Sequence, residues 1–224
     1  MKIGIIGGTG GMGEGFALRW VLNHDIIVGS RDKERASNTA QTYMKTASSV
    51  YGDSVKGNIT GDENIALVKD SDVIILSIPY DSIEFTCTSI ANQLKNGSIV
   101  VSPIVPMDKS DAGFTFAPFE KHLKSAGQVV VDNLPQGTKV VSAFHTIAEM
   151  KLKNVPQSLD SDAFVCGDDM DSVAKINSLI SEIHGLRAIY LGPMTLSYQA
   201  EVLTPMLLNA SKRNKIKHPG IKII

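Results

Sequence analysis

The sequence predicts an α/β protein, and three observations carry that prediction. First, an apolar strand, Lys2-Ile3-Gly4-Ile5-Ile6, runs straight into Gly7-Gly8-Thr9-Gly10-Gly11-Met12-Gly13. A helical run through Ala17, Leu18 and Val21 follows, and then a second apolar strand, Ile26-Ile27-Val28. Second, Asp72-Val73-Ile74-Ile75-Leu76-Ser77-Ile78-Pro79 is nearly continuously apolar, as suits a central parallel strand buried on both faces. Third, short apolar runs and amphipathic stretches go on alternating to the end of the chain. Together they describe an N-terminal Rossmann unit with a doubly wound parallel sheet. A small C-terminal α/β extension ending in a long apolar helix completes it. The expected division is 1–150 for the dinucleotide-binding domain and 151–224 for a smaller domain covering its cleft.

The opening unit fits a dinucleotide. Gly8 allows the tight turn off the strand, Gly10 lets a pyrophosphate approach the backbone, and Gly13 lets the helix pack close to the sheet. Free amides at the helix start, around Thr9, Gly11 and Met12, face the phosphates. The end of the second strand selects which dinucleotide. An NAD site places an acid there; this chain has Ser30-Arg31, with Arg35 one helical turn on. A guanidinium pairs with phosphate through two hydrogen bonds, so Ser30, Arg31 and Arg35 point to the 2′-phosphate of NADP. In that reading Asp32 caps the next helix. The alternative makes both arginines solvated charges and Asp32 the ribose ligand.

Composition bounds the rest. The 224 residues are 43% hydrophobic and 20% charged, with a formal net charge of -1. No basic excess calls for nucleic acid, and no apolar run is long enough to span a bilayer, so a cytoplasmic protein is expected. Cys87 and Cys166 lie far apart without metal-ligand spacing and read as buried free thiols; no metal site is expected.

Along the chain, Ala36, Ala40, Tyr43, Met44 and Ala47 mark a helix from Asp32 to about Ser49. A short strand is expected near Asn58-Ile59-Thr60 and a short helix from Asp62 to Lys69. The strand at 72–79 ends in Ser77-Ile78-Pro79-Tyr80, at the sheet edge where ligands of doubly wound folds sit. A helix from Asp81 to Leu94 is closed by Gly97, and Ser98 to Val101 forms the next strand. That strand ends in Ser102-Pro103-Ile104-Val105-Pro106, a stiff apolar loop on the same edge. Met107 to Glu120 reads as a long polar loop, either a lid or plain surface. Leu123, Ala126, Val130 and Leu134 favour a helix from about Glu120 to Leu134. The strand Lys139 to Phe144 ends in His145-Thr146-Ile147, which places His145 among the candidate ligand contacts.

From Lys151 a polar connection leads to a strand at Ala163–Cys166, a periodic helix through Val173 and Ile183, and a last strand, Arg187 to Tyr190. The final helix should run from about Thr195 to Lys212 with a kink at Pro205. Its apolar face needs cover from this chain or from a second copy, which favours a homodimer while leaving docking within one chain open.

At this point several motifs, in order and over nearly the full length, resemble the NADPH-dependent reductases of coenzyme F420, also called F420H2:NADP oxidoreductases. They are Gly7-Gly8-Thr9-Gly10, Gly29-Ser30-Arg31, Ile78-Pro79, Val101 to Pro106, Ser142 to Ile147, Val165 to Asp169, Glu201 to Pro205 and Gly220-Ile221-Lys222. The resemblance implies reversible hydride transfer between NADP(H) and the deazaflavin F420. It also implies that Thr9, Ser30, Arg31 and Arg35 hold NADP. The loops at Ile78-Pro79, at Ser102 to Pro106 and at His145 to Ile147, with C-terminal segments, would place the deazaflavin against the nicotinamide. The chain departs from the family at Tyr80, where a tryptophan is expected, and at Ala148, where a proline is expected. Tyr198-Gln199 and Lys217-His218-Pro219 also differ. Direct hydride transfer needs no nucleophile, which suits a cleft lined by prolines and isoleucines, with His145 at most orienting a ring. Two other functions remain open on the sequence: an NADP-dependent reductase of a small imine or carbonyl compound, needing a proton donor such as His145 or Tyr80, and an NADP-sensing regulator without turnover.

Overall fold

The computed structural model describes residues 1–118 and 125–224. In chain order its strands and helices are β1 (Lys2–Ile6), α1 (Gly11–Trp20), β2 (Asp25–Ser30), α2 (Lys33–Tyr51), β3 (Ile59–Glu63), α3 (Asn64–Leu67), β4 (Val73–Leu76), α4 (Ile83–Ile90), β5 (Ile99–Ser102), β6 (Met107–Ser110), β7 (Gly113–Phe116), α5 (Ala126–Asp132), β8 (Lys139–Ser142), α6 (Glu149–Lys153), β9 (Ser161–Gly167), α7 (Met170–Ser181), β10 (Leu186–Gly192), α8 (Ser197–Glu201) and α9 (Leu203–Asn214).

Eight strands form one sheet in the order β10-β9-β8-β5-β4-β1-β2-β3. The chain goes from β1 outward through β2 to β3, then returns to the other side of β1 at β4, which makes the β1/β4 boundary the switch point. Strand alternation builds two cores. Ile3, Ile5, Val73, Ile75 and Val101 pack against α1, α2 and α7, whereas Ile6, Ile74, Leu76 and Val100 pack against α3, α4 and α5. This is the doubly wound arrangement expected from the sequence. Within the first core Phe16 and Trp20 stack at 4.8 Å, and Phe144 meets both rings edge-on.

The sheet is not wholly parallel. β9 runs antiparallel to β8, pairing only at Val141↔Gly167 and Ser142↔Cys166, and β10 then lies parallel to β9. Strand-sized apolar runs carry no direction, so this reversal was not legible in the sequence. Beyond that short contact, Asp162 of β9 is reached by Thr146 and by the C-terminal residues. Thr146 Oγ1 donates to Asp162 O at 3.3 Å, and Asp162 N donates to Ile221 O at 2.7 Å.

Five other expectations are corrected. The segment 107–120 is not a loop throughout: β6 and β7 make an antiparallel hairpin with Met107 opposite Phe116. Its strands are largely exposed, so hydrophobic alternation barely marks them. The expected helix from 120 to 134 begins later among the described residues, at Ala126, where Ser125 Oγ accepts from Gln128 N at 3.2 Å as a helix cap; positions 119–124, including Leu123, lie outside those residues. β3 continues to Glu63, which moves the start of α3 from Asp62 to Asn64. The connection after Ala148 contains the short helix α6, which the sequence reading missed. The long final helix is divided at Val202 into α8 and α9; Pro205, lacking an N–H, cannot donate to Glu201 O, which accounts for the break falling there. No helix among the described residues is long and apolar enough to cross a membrane.

Candidate functional site: a dinucleotide cleft

Parallel pairing brings four strand ends to one edge. Ile6 lies opposite Leu76, and Ser102 opposite Ser142, with β4 and β5 paired between them. The loops that follow, beginning at Gly7, Ser77, Pro103 and Ala143, therefore line one cleft. This is where the sequence placed its candidates.

The nucleotide loop has the geometry the glycines require. Gly8 N donates to Ile5 O at 3.0 Å, closing the turn, and a Cβ on Gly13 would collide with the Gly8 backbone. Gly10 caps α1 with φ -89° and ψ 172°, and a Cβ there would find nothing nearer than 3.8 Å. That open side is the space a pyrophosphate needs, so the cradle fits the group. Thr9, Gly11 and Met12 are half-buried around it.

Beyond β2, Ser30 is buried and its Oγ accepts from Asp32 N at 3.2 Å. Asp32 is the N-cap of α2, its Oδ1 accepting from Arg35 N at 2.8 Å. One oxygen of the Asp32 carboxylate is thus engaged by the helix start, as expected of a cap. Arg31 and Arg35 are exposed, and neither guanidinium makes an ion pair among the described residues. Beside them Lys33 holds Asp62 at 3.0 Å.

The other candidates divide by exposure. Ser77, Ile78, Pro103 and Val105 are half-buried and Pro79 is exposed, all at the cleft edge. Ser102, His145 and Ile147 are buried. Ser102 ends β5 with its side chain fully buried. His145 Nε2 contacts Ser142 Oγ at 2.9 Å, while Thr204 Oγ1 donates to His145 O at 2.7 Å. Burial drives the His145 pKa down to about 3, so the imidazole is neutral at physiological pH. Phe144, just before it, has φ 72°, a left-handed conformation uncommon for an aromatic residue and held here by the Phe16 and Trp20 rings.

Residues that the sequence reading did not single out hold this loop in place. Tyr43 from α2 donates its hydroxyl toward Gly8 O at 3.3 Å and Gly10 O at 3.4 Å. Burial first, then the nearby Glu14, raises its pKa to about 12. α6 packs across α1 at Gly11 and Gly15, bringing the Glu149 side chain against Gly11 and Leu152 against Gly15. Arg19, one turn further along that face, donates to the carbonyls of Lys151, Leu152, Asn154 and Gln157 at 2.8 to 3.1 Å. Periodicity marked Tyr43 as inward-facing; nothing in sequence spacing could say what its hydroxyl reaches.

Comparison with known proteins meets this geometry from the other side. Residues 2–106 match the family model described as NADP oxidoreductase, coenzyme F420-dependent. The F420-dependent NADP reductase of Methanocaldococcus jannaschii is 36% identical, covering all of this chain and 98% of the relative. The chain belongs to the coenzyme F420-dependent NADP oxidoreductase family. The reductase of the same name from Methanothermobacter thermautotrophicus is 32% identical over all of this chain and 94% of its own length. A crystal structure from Arthrobacter sp. FB24, described as a candidate F420-dependent NADP reductase, superposes with a TM-score of 0.81 at 21% identity, covering all of this chain and 99% of that one. That likeness bears on the fold, and it extends through β9, β10 and α9.

Proposed function

We propose that this protein is an NADPH-dependent F420 reductase, transferring a hydride reversibly between NADP(H) and the deazaflavin coenzyme F420. The full-length match to two reductases of that name is the observation that carries it. The chemistry of the cleft agrees. Bound nicotinamide and deazaflavin supply the two-electron chemistry, between nicotinamide C4 and deazaflavin C5, so the chain need only align two rings and exclude water. His145, the histidine at the strand ends, is held neutral and buried, which suits support of a ring-facing loop and not proton transfer.

Residue roles are assigned within this reading by position along the sheet edge. The amides of Gly8 to Gly13, with Thr9, hold the pyrophosphate; Ser30, Arg31 and Arg35 hold the 2′-phosphate. Ser77, Ile78, Pro79, Pro103 and Val105 border the rings, with Ser102, His145 and Ile147 shaping the loops beneath. Residues 151–224 cover the cleft, through Thr204 on His145. The protein works as a homodimer: Tyr198, Val202 and Met206, four residues apart along α8 and α9, are 47%, 41% and 52% exposed and form an apolar stripe suited to a second copy. Two free, buried cysteines agree with the reducing cytoplasm.

The test is anaerobic mixing of the purified protein with NADPH and oxidised F420. Loss of the deazaflavin visible absorbance is expected with NADPH and little with NADH. Tight NADPH binding without bleaching would overturn the reductase assignment.

A further inference from the structure

The turn that opens the nucleotide loop is held by a side chain from beyond the neighbouring strands. Gly7 has φ +69°, and a Cβ there would strike Ser77 O, so the chain must leave β1 in a left-handed conformation. In that conformation the Gly7 N–H is received by Asn64 Oδ1 at 3.1 Å. Asn64 is the first residue of α3, directly after β3, and β3 pairs with β2 so that Ser30 lies opposite Glu63. The same Asn64 oxygen covers Gly29, where a Cβ would come within 2.5 Å of it. One carboxamide therefore touches the ends of both β1 and β2. Those ends carry the phosphate loop and the Ser30-Arg31 pair.

We infer that Asn64 is a positioning residue for NADP. Its Oδ1 fixes the Gly7 amide, which sets the orientation of the turn from Gly7 to Gly10. By filling the space over Gly29 it also fixes the separation between the pyrophosphate amides and the 2′-phosphate cations. The residue must accept a hydrogen bond without carrying charge. Asp62 and Glu63 already place two carboxylates at the end of β3, of which Asp62 is paired with Lys33 at 3.0 Å. A third anion, next to Ser30 and Arg31, would oppose a 2′-phosphate. An asparagine meets both conditions, whereas an aspartate meets only the first.

The inference that Asn64 fixes the loop stands on the Gly7 contact alone; the requirement for neutrality rests on the 2′-phosphate reading of Arg31. Asn64→Ala and Asn64→Asp separate these. Dissociation constants for NADPH and NADH, with turnover at saturating F420, are the measurements. Asn64→Ala removes the acceptor and should weaken both nucleotides by a similar factor, about five- to tenfold, with the loss falling more on KM than on kcat. Asn64→Asp restores the acceptor, so NADH binding, compared at high salt where repulsion between the new carboxylate and the pyrophosphate is screened, should return to within about twofold of the unmodified protein. NADPH should stay at least about fivefold weaker, a loss that shrinks as salt is raised. Unchanged affinities in Asn64→Ala, or equal NADH losses in the two variants, would overturn the positioning role. Arg31→Ala serves as the control for the other premise: if it weakens NADH as much as NADPH, the 2′-phosphate reading fails while the Asn64 contact can still be judged from NADH. Thermal unfolding of each variant, read by circular dichroism, identifies a variant that does not fold; Asn64→Asp, which keeps the contact, then carries the test.

Discussion

Replacing Arg31 with alanine tests the cofactor assignment most directly. The Arg31 guanidinium is exposed, makes no ion pair among the described residues and follows the buried Ser30, so its removal disturbs little else. A hydrogen bond to a charged group contributes roughly 1.5–3 kcal/mol. Exposure to water puts this site at the lower end, about 1.5–2 kcal/mol, since screening weakens surface pairs. At 1.4 kcal/mol per tenfold, NADPH affinity should fall about 10- to 30-fold. NADH lacks the 2′-phosphate and should change by less than about twofold on the same arithmetic. Titration of each reduced nucleotide by its fluorescence measures this, repeated at two salt concentrations. The NADPH difference should narrow at high salt, because the pair is open to counterions. Equal losses for NADH and NADPH would refute the 2′-phosphate role, and an unchanged NADPH affinity would move the phosphate to Arg35.

Gly10→Val should abolish nucleotide binding while the protein stays folded: the N-cap dihedrals are extended and a Cβ meets no atom within 3.8 Å, so only the ligand is obstructed. Calorimetric titration with NADPH, beside a thermal melt, distinguishes the two effects. Tyr43→Phe removes the hydroxyl that reaches Gly8 O and Gly10 O. It should cost about 1 kcal/mol of stability and loosen NADPH severalfold, read by urea unfolding and by KM. His145 sets a pH dependence of stability. Its folded pKa, about 3, lies below the ordinary 6.5, so the unfolded chain binds the extra proton between those values. Stability should therefore decline as pH falls from about 6.5 toward 3, at up to about 1.4 kcal/mol per unit from this group. His145→Asn should flatten that part of a melting-temperature profile. Cys87 and Cys166, both buried and pushed up to about 12, should resist a thiol reagent in the native protein and react after denaturation.

The glycine loop, the β2 end and the buried central strands were legible because local physics decides them. Gly13 must meet the Gly8 backbone, Asp32 must cap α2, and Val73 to Leu76 are apolar without interruption. What was not legible depends on partners distant in sequence. The β6–β7 hairpin is mostly exposed and is braced by Asn209, whose carboxamide accepts from Phe114 N at 2.8 Å and donates to Phe114 O at 2.7 Å. Residues 95 positions apart leave no spacing signal. The same holds for Arg19, which looks like an ordinary basic residue near a helix end but buries its guanidinium among four carbonyls.

The C-terminal motifs acquire a physical role from the divergence of β8 and β9. Glu201, fully buried, accepts from Ala126 N at 2.9 Å, Gly127 N at 3.1 Å and Ser197 Oγ at 2.7 Å. Burial pushes its carboxyl upward against the opposing pull of those three donors, and the side chain fastens α8 to the start of α5. From that anchor α9 extends Thr204 to the His145 carbonyl and Asn209 to the hairpin, which bind α9 to two of the loops leaving the sheet edge. Further on, the backbone at Ile221 and Ile223 lies beside β9. There Asp162 accepts from Arg187 Nε at 2.8 Å and from Ile223 N at 2.7 Å, and Arg187 Nη2 donates to Ile223 O at 2.5 Å. Arg187 holds the Asp162 carboxyl below the usual range, so this lock persists through neutral pH. Thr146 binds the same Asp162 residue through its carbonyl, at the point where the His145 loop turns. After completing its sheet the chain thus returns once to the His145 loop itself and once to the β9 residue that the loop touches. If hydride passes between two rings aligned in this cleft, its rate depends on loop placement, and these contacts hold one of the loops in place.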